Sequence, residues 1–270
     1  MRERPQVASF GYHEVTDAPA DSGFQRPGAM PYKHTRAAFD DHLAQIATGP
    51  VAPTVPVTAV DLARPGRHLM ITFDDGGTSN LHAAEALGRR GWVGHFFVVT
   101  GRMGTRGFMT PGEVRELRAM GHVVGSHSHT HPNIFREQTM ARMLGEWLES
   151  GDRLAQVLGE PIPTAAVPGG HISPLVTLSA ARAGLRYLFT CEPTVTPWQV
   201  EHCWVLGRAL VKVSTSSREI HDLAHFRGWG RARAVRLAKD AVRRAVPGLY
   251  RAYVARTTRE WAPAPLRAPE

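Results

Sequence analysis

The chain has 270 residues, 43% hydrophobic and 21% charged, with 32 Lys and Arg against 24 Asp and Glu and a formal charge of +8. The apolar fraction excludes a disordered chain, two cysteines (Cys191 and Cys203) exclude a disulfide scaffold, and no apolar run approaches the ~18–20 residues that span a bilayer. The opening MRERPQVASF lacks the apolar stretch of a signal peptide, so the expectation is a soluble, cytoplasmic globular protein.

In chain order, short runs rich in Val, Ile, Phe and Leu alternate with stretches of helical period. Strands are predicted at Val7–Tyr12, Leu69–Phe73, Val93–Val99, His122–Ser126, Thr164–Val167, Arg186–Thr190 and Val205–Val211. Helices are predicted at Arg36–Ala47, Asn80–Arg90, Pro111–Met120, Glu137–Leu158 and Pro174–Ala183. Thr110 before Pro111 is a natural N-cap, and Gly91, Gly121 and Gly184 stand where three of these helices should stop. The loop Thr48–Arg67 holds four prolines and reads as irregular. Strand–helix alternation predicts parallel strands joined by right-handed crossovers, an α/β fold, and seven strands suit one small barrel better than two domains. Chemistry in such a barrel collects at the carboxyl ends of the strands.

The basic excess is not spread evenly. Between Arg231 and Arg256 stand eight basic residues and one acid, a net +7, so the other 244 residues together carry +1. The division expected is a barrel over residues 1–228 and a basic helical C-terminal extension over 229–270. In the extension Val235, Ala238, Val242, Ala245, Leu249 and Tyr253 fall at helical spacing, with Arg233, Arg236, Arg243 and Arg244 facing elsewhere and Pro247-Gly248 breaking it into two pieces. This is either a helix packed on the barrel with a solvated basic face, or a surface that meets anionic lipid or an anionic glycan precursor.

Two polar clusters follow directly on apolar runs. Thr72-Phe73-Asp74-Asp75-Gly76-Gly77 closes the second strand, and adjacent carboxylates at a strand end point in different directions. One can bind a cation while the other works on a substrate, although Asp-Asp-Gly-Gly is also ordinary turn chemistry. Gly125-Ser126-His127-Ser128-His129-Thr130-His131-Pro132 follows the fourth strand. Two of its histidines four residues apart can meet on one ion if the chain turns helically there, or they can be exposed loop histidines. A carboxylate and two imidazoles are a usual set for a catalytic divalent site, and the second carboxylate is then free to take a proton from water.

With TFDDG at Thr72–Gly76, HSHTHP at His127–Pro132 and VPGG at Val167–Gly170, the chain resembles the polysaccharide deacetylases of the NodB-homology type, carbohydrate esterase family 4. The likeness extends over GHFFVVTG up to Gly101 and over Gly107–His127, and it spans about Val7 to Val211. The resemblance implies a distorted (β/α)7 barrel, a divalent metal (Zn2+ first, with Co2+, Ni2+ or Mn2+ as options) and hydrolysis of N-acetyl groups from amino sugars. It implies Asp74 as general base, Asp75, His127 and His131 as metal ligands, and no role for His129. Pro168, Gly169 and Gly170 would line the site, with a backbone N–H for the oxyanion.

Two departures from the family pattern matter. The arginine of the usual third motif is replaced by Ala166, and Arg208 is either its substitute or a surface strand residue. The usual final Leu-x-His is also missing; Glu219-Ile220-His221 imitates it, but Ile220, Leu223 and Ala224 give that segment helical spacing. Tyr12-His13-Glu14-Val15 instead resembles the YHxV stretch of members whose motif order is circularly permuted, which makes His13 the candidate general acid, against a structural core histidine. His171 either touches substrate or is a polar loop residue, and Trp92, Trp198 and Trp204 suit core filling or a sugar face. The expected partner is an N-acetylated sugar, with no specific nucleic acid. A hydrolase of a linear or cyclic non-sugar amide and a non-catalytic binding protein are the alternatives.

Overall fold

The computed structural model describes residues 4–259. In chain order the elements are β1 (Gln6–Tyr12), β2 (Glu14–Val15), β3 (Lys33–His34), α1 (Arg36–Ala47), β4 (Arg67–Phe73), α2 (Asn80–Gly88), β5 (Gly94–Val98), α3 (Pro111–Ala119), β6 (Val123–Ser126), α4 (Met140–Leu158), β7 (Thr164–Ala166), α5 (Pro174–Arg182), β8 (Tyr187–Phe189), β9 (Trp198–Val200), β10 (Cys203–Leu206), β11 (Ala209–Leu210), α6 (Ser217–Ala224), α7 (Trp229–Ala245) and α8 (Pro247–Thr257). Thr110 caps α3 in a full capping box with Glu113, and Gly159 ends α4 in the left-handed conformation, as their residue types dictate.

One sheet runs β11-β1-β4-β5-β6-β7-β8-β10-β9, parallel except for the β10–β9 hairpin. The seventh strand expected at Val205–Val211 is interrupted at Gly207-Arg208. Its first half, β10, pairs with β8, and its second half, β11, pairs with β1. The ring therefore closes through a kink, which is the distortion of this (β/α)7 barrel. The antiparallel β9 was not predicted.

Alternation along the strands decides what faces inward. Val7, Met70, Phe97, Ala166, Tyr187, Phe189 and Leu206 come from six strands and form one buried cluster with Val57, Val60 and Leu62 of the proline-rich loop. Phe10, Ile71, Phe73 and Phe96 point the other way, into the larger core beneath the helices. On β4 the inward register Met70, Thr72 continues to Asp74, so the pleat itself delivers that carboxylate to the mouth of the barrel. Gly11 makes room at the seam: a Cβ there would lie 2.7 Å from Leu210 and 3.7 Å from the Arg208 guanidinium.

The C-terminal extension does not pack as its helical spacing suggests. Val235, Leu249 and Tyr253 are 48%, 70% and 64% exposed. Arg236 and Arg243 instead turn inward, because Arg236 pairs with Glu192 at 3.1 Å and Asp240 at 3.2 Å and Arg243 with Asp240 at 2.8 Å. The side chains of Val242 and Arg244, and residues 260–270, lie outside the described residues. The break at Pro247-Gly248 stands where the sequence puts it, and the Gly28 N–H donates to the Thr257 carbonyl at 2.9 Å, tying the far end back to the front of the barrel.

Candidate active site

The carboxyl end of β4 turns sharply. Asp75 and Gly76 both take positive φ (75° and 80°), and a Cβ on Gly76 would lie 3.1 Å from Val98. A left-handed aspartate costs about 1 kcal/mol. The turn sends the Asp75 carboxylate away from Asp74, and the Val99 N–H closes on the Asp75 carbonyl at 3.3 Å. Turn chemistry and site chemistry are thus the same residues.

His127 and His131 meet without the helical turn the spacing suggested. Ser128 and His131 adopt left-handed φ (64° and 53°). The Ser128 hydroxyl accepts the His131 N–H at 3.1 Å, and the buried Glu146 of α4 holds Thr130 through its N–H (2.7 Å) and its hydroxyl (2.5 Å). His127 Nδ1 donates to the Ala166 carbonyl at 2.9 Å, which fixes the tautomer and leaves Nε2 as an acceptor facing the mouth. The ring nitrogens of His127 and His131 each stand 3.6 Å from Asp75 Oδ1.

Donor atoms of Asp75, His127 and His131 all lie within 4.8 Å of one another. Asp75 Oδ1 is buried without a hydrogen-bond partner among the described residues. Burial, with Asp74 and Glu14 adding repulsion, pushes the Asp75 pKa up to about 8 in the protein alone. A buried carboxylate oxygen facing two imidazoles fits a divalent cation, whose charge would add to the weaker pull of Arg26 and Lys33. His129 stands outside this cluster, with Nδ1 3.0 Å from the Thr100 hydroxyl.

Asp74 is held by a different partner. Arg208, with no exposed surface, forms a bidentate pair with it: Nη1 to Oδ1 at 2.7 Å and Nη2 to Oδ2 at 2.8 Å. The same guanidinium donates to the Thr72 hydroxyl at 2.8 Å and the Thr190 carbonyl at 3.0 Å. The kink in the seventh strand turns Arg208 inward, so it is not a surface strand residue. Burial alone would raise the Asp74 pKa, but Arg208 outweighs it and brings the carboxyl down to about 2. Asp74 Oδ2 lies 4.0 Å from His127 Nε2 and so faces the ligand cluster.

A cleft of about 140 Å³ joins these groups, lined by His13, Asp74, Asp75, His127, His131, Gly169 and Gly170 among others. Pro168 is buried and does not line it. The Gly170 N–H is committed to the Val167 carbonyl at 2.8 Å, which leaves Gly169 as the glycine of the pair with an N–H to offer. His13 stacks on Tyr32 with ring centroids 4.6 Å apart, and its Nδ1 is buried without a partner among the described residues. Burial pulls the His13 pKa down to about 4 against the attraction of Asp74.

Arg26, Tyr32 and Cys191 also line the cleft, and sequence reasoning missed all three. Arg26 and Tyr32 sit on the long connection between β2 and β3. That connection is anchored by buried Glu14, which accepts from the hydroxyls of Ser22 and Ser79, and by Lys33, which donates to the carbonyls of Pro19 and Ser22. The one available signal was a buried-type acid, Glu14, directly after His13. His171 belongs to the extension's contact instead, with Nδ1 3.0 Å from Arg236. Trp92 is core, while Trp198 and Trp204 pack half-buried against the core. The His221 segment is α6, away from the cleft.

Residues 61–188 match the family described as polysaccharide deacetylase. The peptidoglycan-N-acetylglucosamine deacetylase PgdA of Listeria monocytogenes is 28% identical over 128 residues, 47% of this chain and 27% of that protein, so the match spans about a quarter of the curated relative. A polysaccharide deacetylase of Bacillus cereus superposes with TM-score 0.67 at 18% identity, covering 81% of this chain and 69% of that one. IcaB of Ammonifex degensii gives 0.63 at 21%, covering 83% and 99%. At these identities the structural likeness is one of fold.

Proposed function

We propose, for a chain whose residues 61–188 are of the polysaccharide deacetylase family, that it hydrolyses the acetamide of an N-acetylated amino sugar with a divalent metal held by Asp75, His127 and His131. The observation that carries this reading is the pairing of two carboxylates with opposite environments at one strand end. Asp74 is kept ionised by its bidentate pair with Arg208, and Asp75 turns a buried oxygen without a hydrogen-bond partner among the described residues toward two imidazoles. Zinc suits this donor set best, and when bound it supplies a Lewis acid for the acetamide carbonyl and acidifies water.

The chain's own residues do the rest. Asp74 takes the proton of the attacking water on Oδ2, the oxygen turned toward the ligand cluster. Arg208 holds that carboxylate in one orientation. The Gly169 N–H donates to the oxygen of the tetrahedral intermediate. His13, neutral between turnovers, receives the proton that Asp74 took from water and passes it to the departing nitrogen, which returns Asp74 to its ionised form. The products are acetate and the free amine.

A simple-amide substrate stayed open on sequence grounds because the third-motif arginine was missing; Arg208 on Asp74 removes that ground. Metal analysis joined to acetate release from short N-acetylglucosamine oligomers tests the proposal. Stoichiometric metal with release supports it. No bound metal and no release from any acetamido sugar refutes it.

A further inference from the structure

A second cavity, of about 710 Å³, opens beside the catalytic cleft between β11, α6 and α7. The two share Tyr32, Cys191 and Leu210 as a common wall, so the cavity adjoins the cleft. The shared wall is held in place: the Tyr32 ring stacks on His13, and Lys212 Nζ lies 5.4 Å from its centre.

The lining is strongly positive. Eight of its side chains are Lys or Arg and two, Glu219 and Asp222, are acids. Four of the basic groups are already engaged, since Arg208 holds Asp74, Arg227 holds Asp222, and Arg236 and Arg243 share Asp240. The other four, Lys212, Arg218, Arg231 and Lys239, have no ion-pair partner among the described residues. Lys212 is half-buried, and burial together with the charges of Lys239 and Arg243 pulls its pKa down. Like charges gathered around a half-buried lysine oppose folding unless an anion joins them. The first turn of α6 adds its positive pole, with Ser216 and Arg218 on the same wall. Half of the terminal segment's eight basic residues stand here: Arg231, Arg236, Lys239 and Arg243 of α7 all line this cavity.

We infer that the cavity binds a phosphate ester on the substrate, so that the acetamido sugar to be deacetylated carries a phosphate or diphosphate. The inference rests on the deacetylase reading and narrows its substrate class. Convergent guanidinium and ammonium groups suit phosphate oxygens by charge and by geometry, and a neutral glycan would use none of them. Two sources share this chemistry, a soluble nucleotide- or phospho-sugar and a lipid-linked sugar phosphate.

The test compares acetate release from N-acetylglucosamine 1-phosphate, UDP-N-acetylglucosamine, a polyprenyl-diphosphate-linked N-acetylglucosamine in phosphatidylcholine vesicles, and neutral chitotriose. At least one phosphorylated substrate is expected to exceed chitotriose in kcat/KM by about tenfold or more. The ratio should fall by a similar factor in the paired charge reversal Arg231→Glu with Lys239→Glu, both exposed and so compatible with folding, and in Lys212→Met. Arg115→Ala, on α3 away from the cavity, is the charge-loss control. A higher kcat/KM for the vesicle-bound than for the soluble phospho-sugars assigns the lipid source, and the reverse assigns the soluble one. Equal or better turnover of chitotriose, or a ratio unmoved by the charge reversals, overturns the inference. If no acetamido sugar is turned over, the deacetylase reading fails by itself. Calorimetric binding of N-acetylglucosamine 1-phosphate then decides the anion site, upheld by binding lost in the charge reversals and overturned by no binding.

Discussion

Replacing Arg208 by methionine keeps the stem in place and deletes the guanidinium. Five hydrogen bonds go with it: two to Asp74 and one each to the Thr72 hydroxyl, the Thr190 carbonyl and the Cys191 sulfur. The Asp74 side chain is 3% exposed, so water replaces the guanidinium only in part. Stranding one partner of a buried pair costs about 3–5 kcal/mol, which for a chain of this size is about 10 °C of Tm. The charge state moves as well. In the intact protein Arg208 outweighs burial and brings Asp74 down to about 2, so the pair's stabilisation is fully present above the unfolded carboxylate pKa and is lost as pH falls toward 2. Without Arg208 burial is opposed only by His127 and His13, and the pKa rises from its depressed value. The acid limb of kcat/KM for acetate release should then move up by at least ~1 pH unit, about 1.4 kcal/mol. Differential scanning calorimetry and a pH–rate profile read the two effects separately. Adding Asp74→Asn to the methionine variant should cost less than the sum of the single changes, because the stranded charge is gone. A methionine variant that melts within about 2 °C of the parent and keeps its acid limb refutes the control of Asp74 by Arg208.

Asp75→Ala is expected to lose metal by elemental analysis, whereas Asp74→Asn should retain it while turnover falls by about a thousandfold, the middle of the range for a lost general base. His13→Ala should keep fold and metal and lose most turnover; full activity with metal intact would remove His13 from the reaction. His95, fully buried on β5, accepts the Val57 N–H at Nε2 (3.0 Å) and faces the Ile71 carbonyl through Nδ1 (3.4 Å), so only the neutral ring satisfies both. Burial lowers its pKa to about 4, the unfolded state binds the extra proton between pH 6.5 and 4, and stability therefore falls across that window by ~3 kcal/mol for this residue. Urea midpoints that stay constant from pH 7 to 4 would contradict this. Gly170→Ala places a Cβ 1.9 Å from Cys191 Sγ at a φ of 66° and should cost about 2–4 kcal/mol; adding Cys191→Ala should relieve the steric part only.

What the sequence told and what it withheld divide by range. Bounds of α1, the start of α3 at Pro111 and the inward reach of Asp74 follow from local rules, namely period, capping and pleat. Grouping Asp75 with His127 and His131 needed only that the ends of β4 and β6 share one rim of the sheet, with β5 between them. The split of the seventh strand was not legible, because Val205–Val211 reads as one apolar run and its interruption answers to Asp74, 134 residues away. Arg26 and Tyr32 were missed for the same reason, as their loop is placed by Glu14 and Lys33 rather than by its own composition. The extension misled through periodicity. An apolar stripe normally finds a core, but in α7 Glu192 and Asp240 hold the opposite, arginine-bearing side.

The kinked seventh strand also sets an order of events during synthesis. The first strand can pair with β4 as soon as residue 73 has emerged, yet its other edge stays open until residues 209–210 follow. Over that interval the nascent barrel has an unpaired edge, and Asp74 lacks its guanidinium partner. Closing the seam and neutralising the acid are one step, made by residues 208–210. Contacts of such long sequence separation form late and expose intermediates to aggregation. A ribosome-bound chain truncated before Arg208 should therefore behave as an open, protease-sensitive sheet, and the pairing of Asp74 doubles as a checkpoint on completion of the fold.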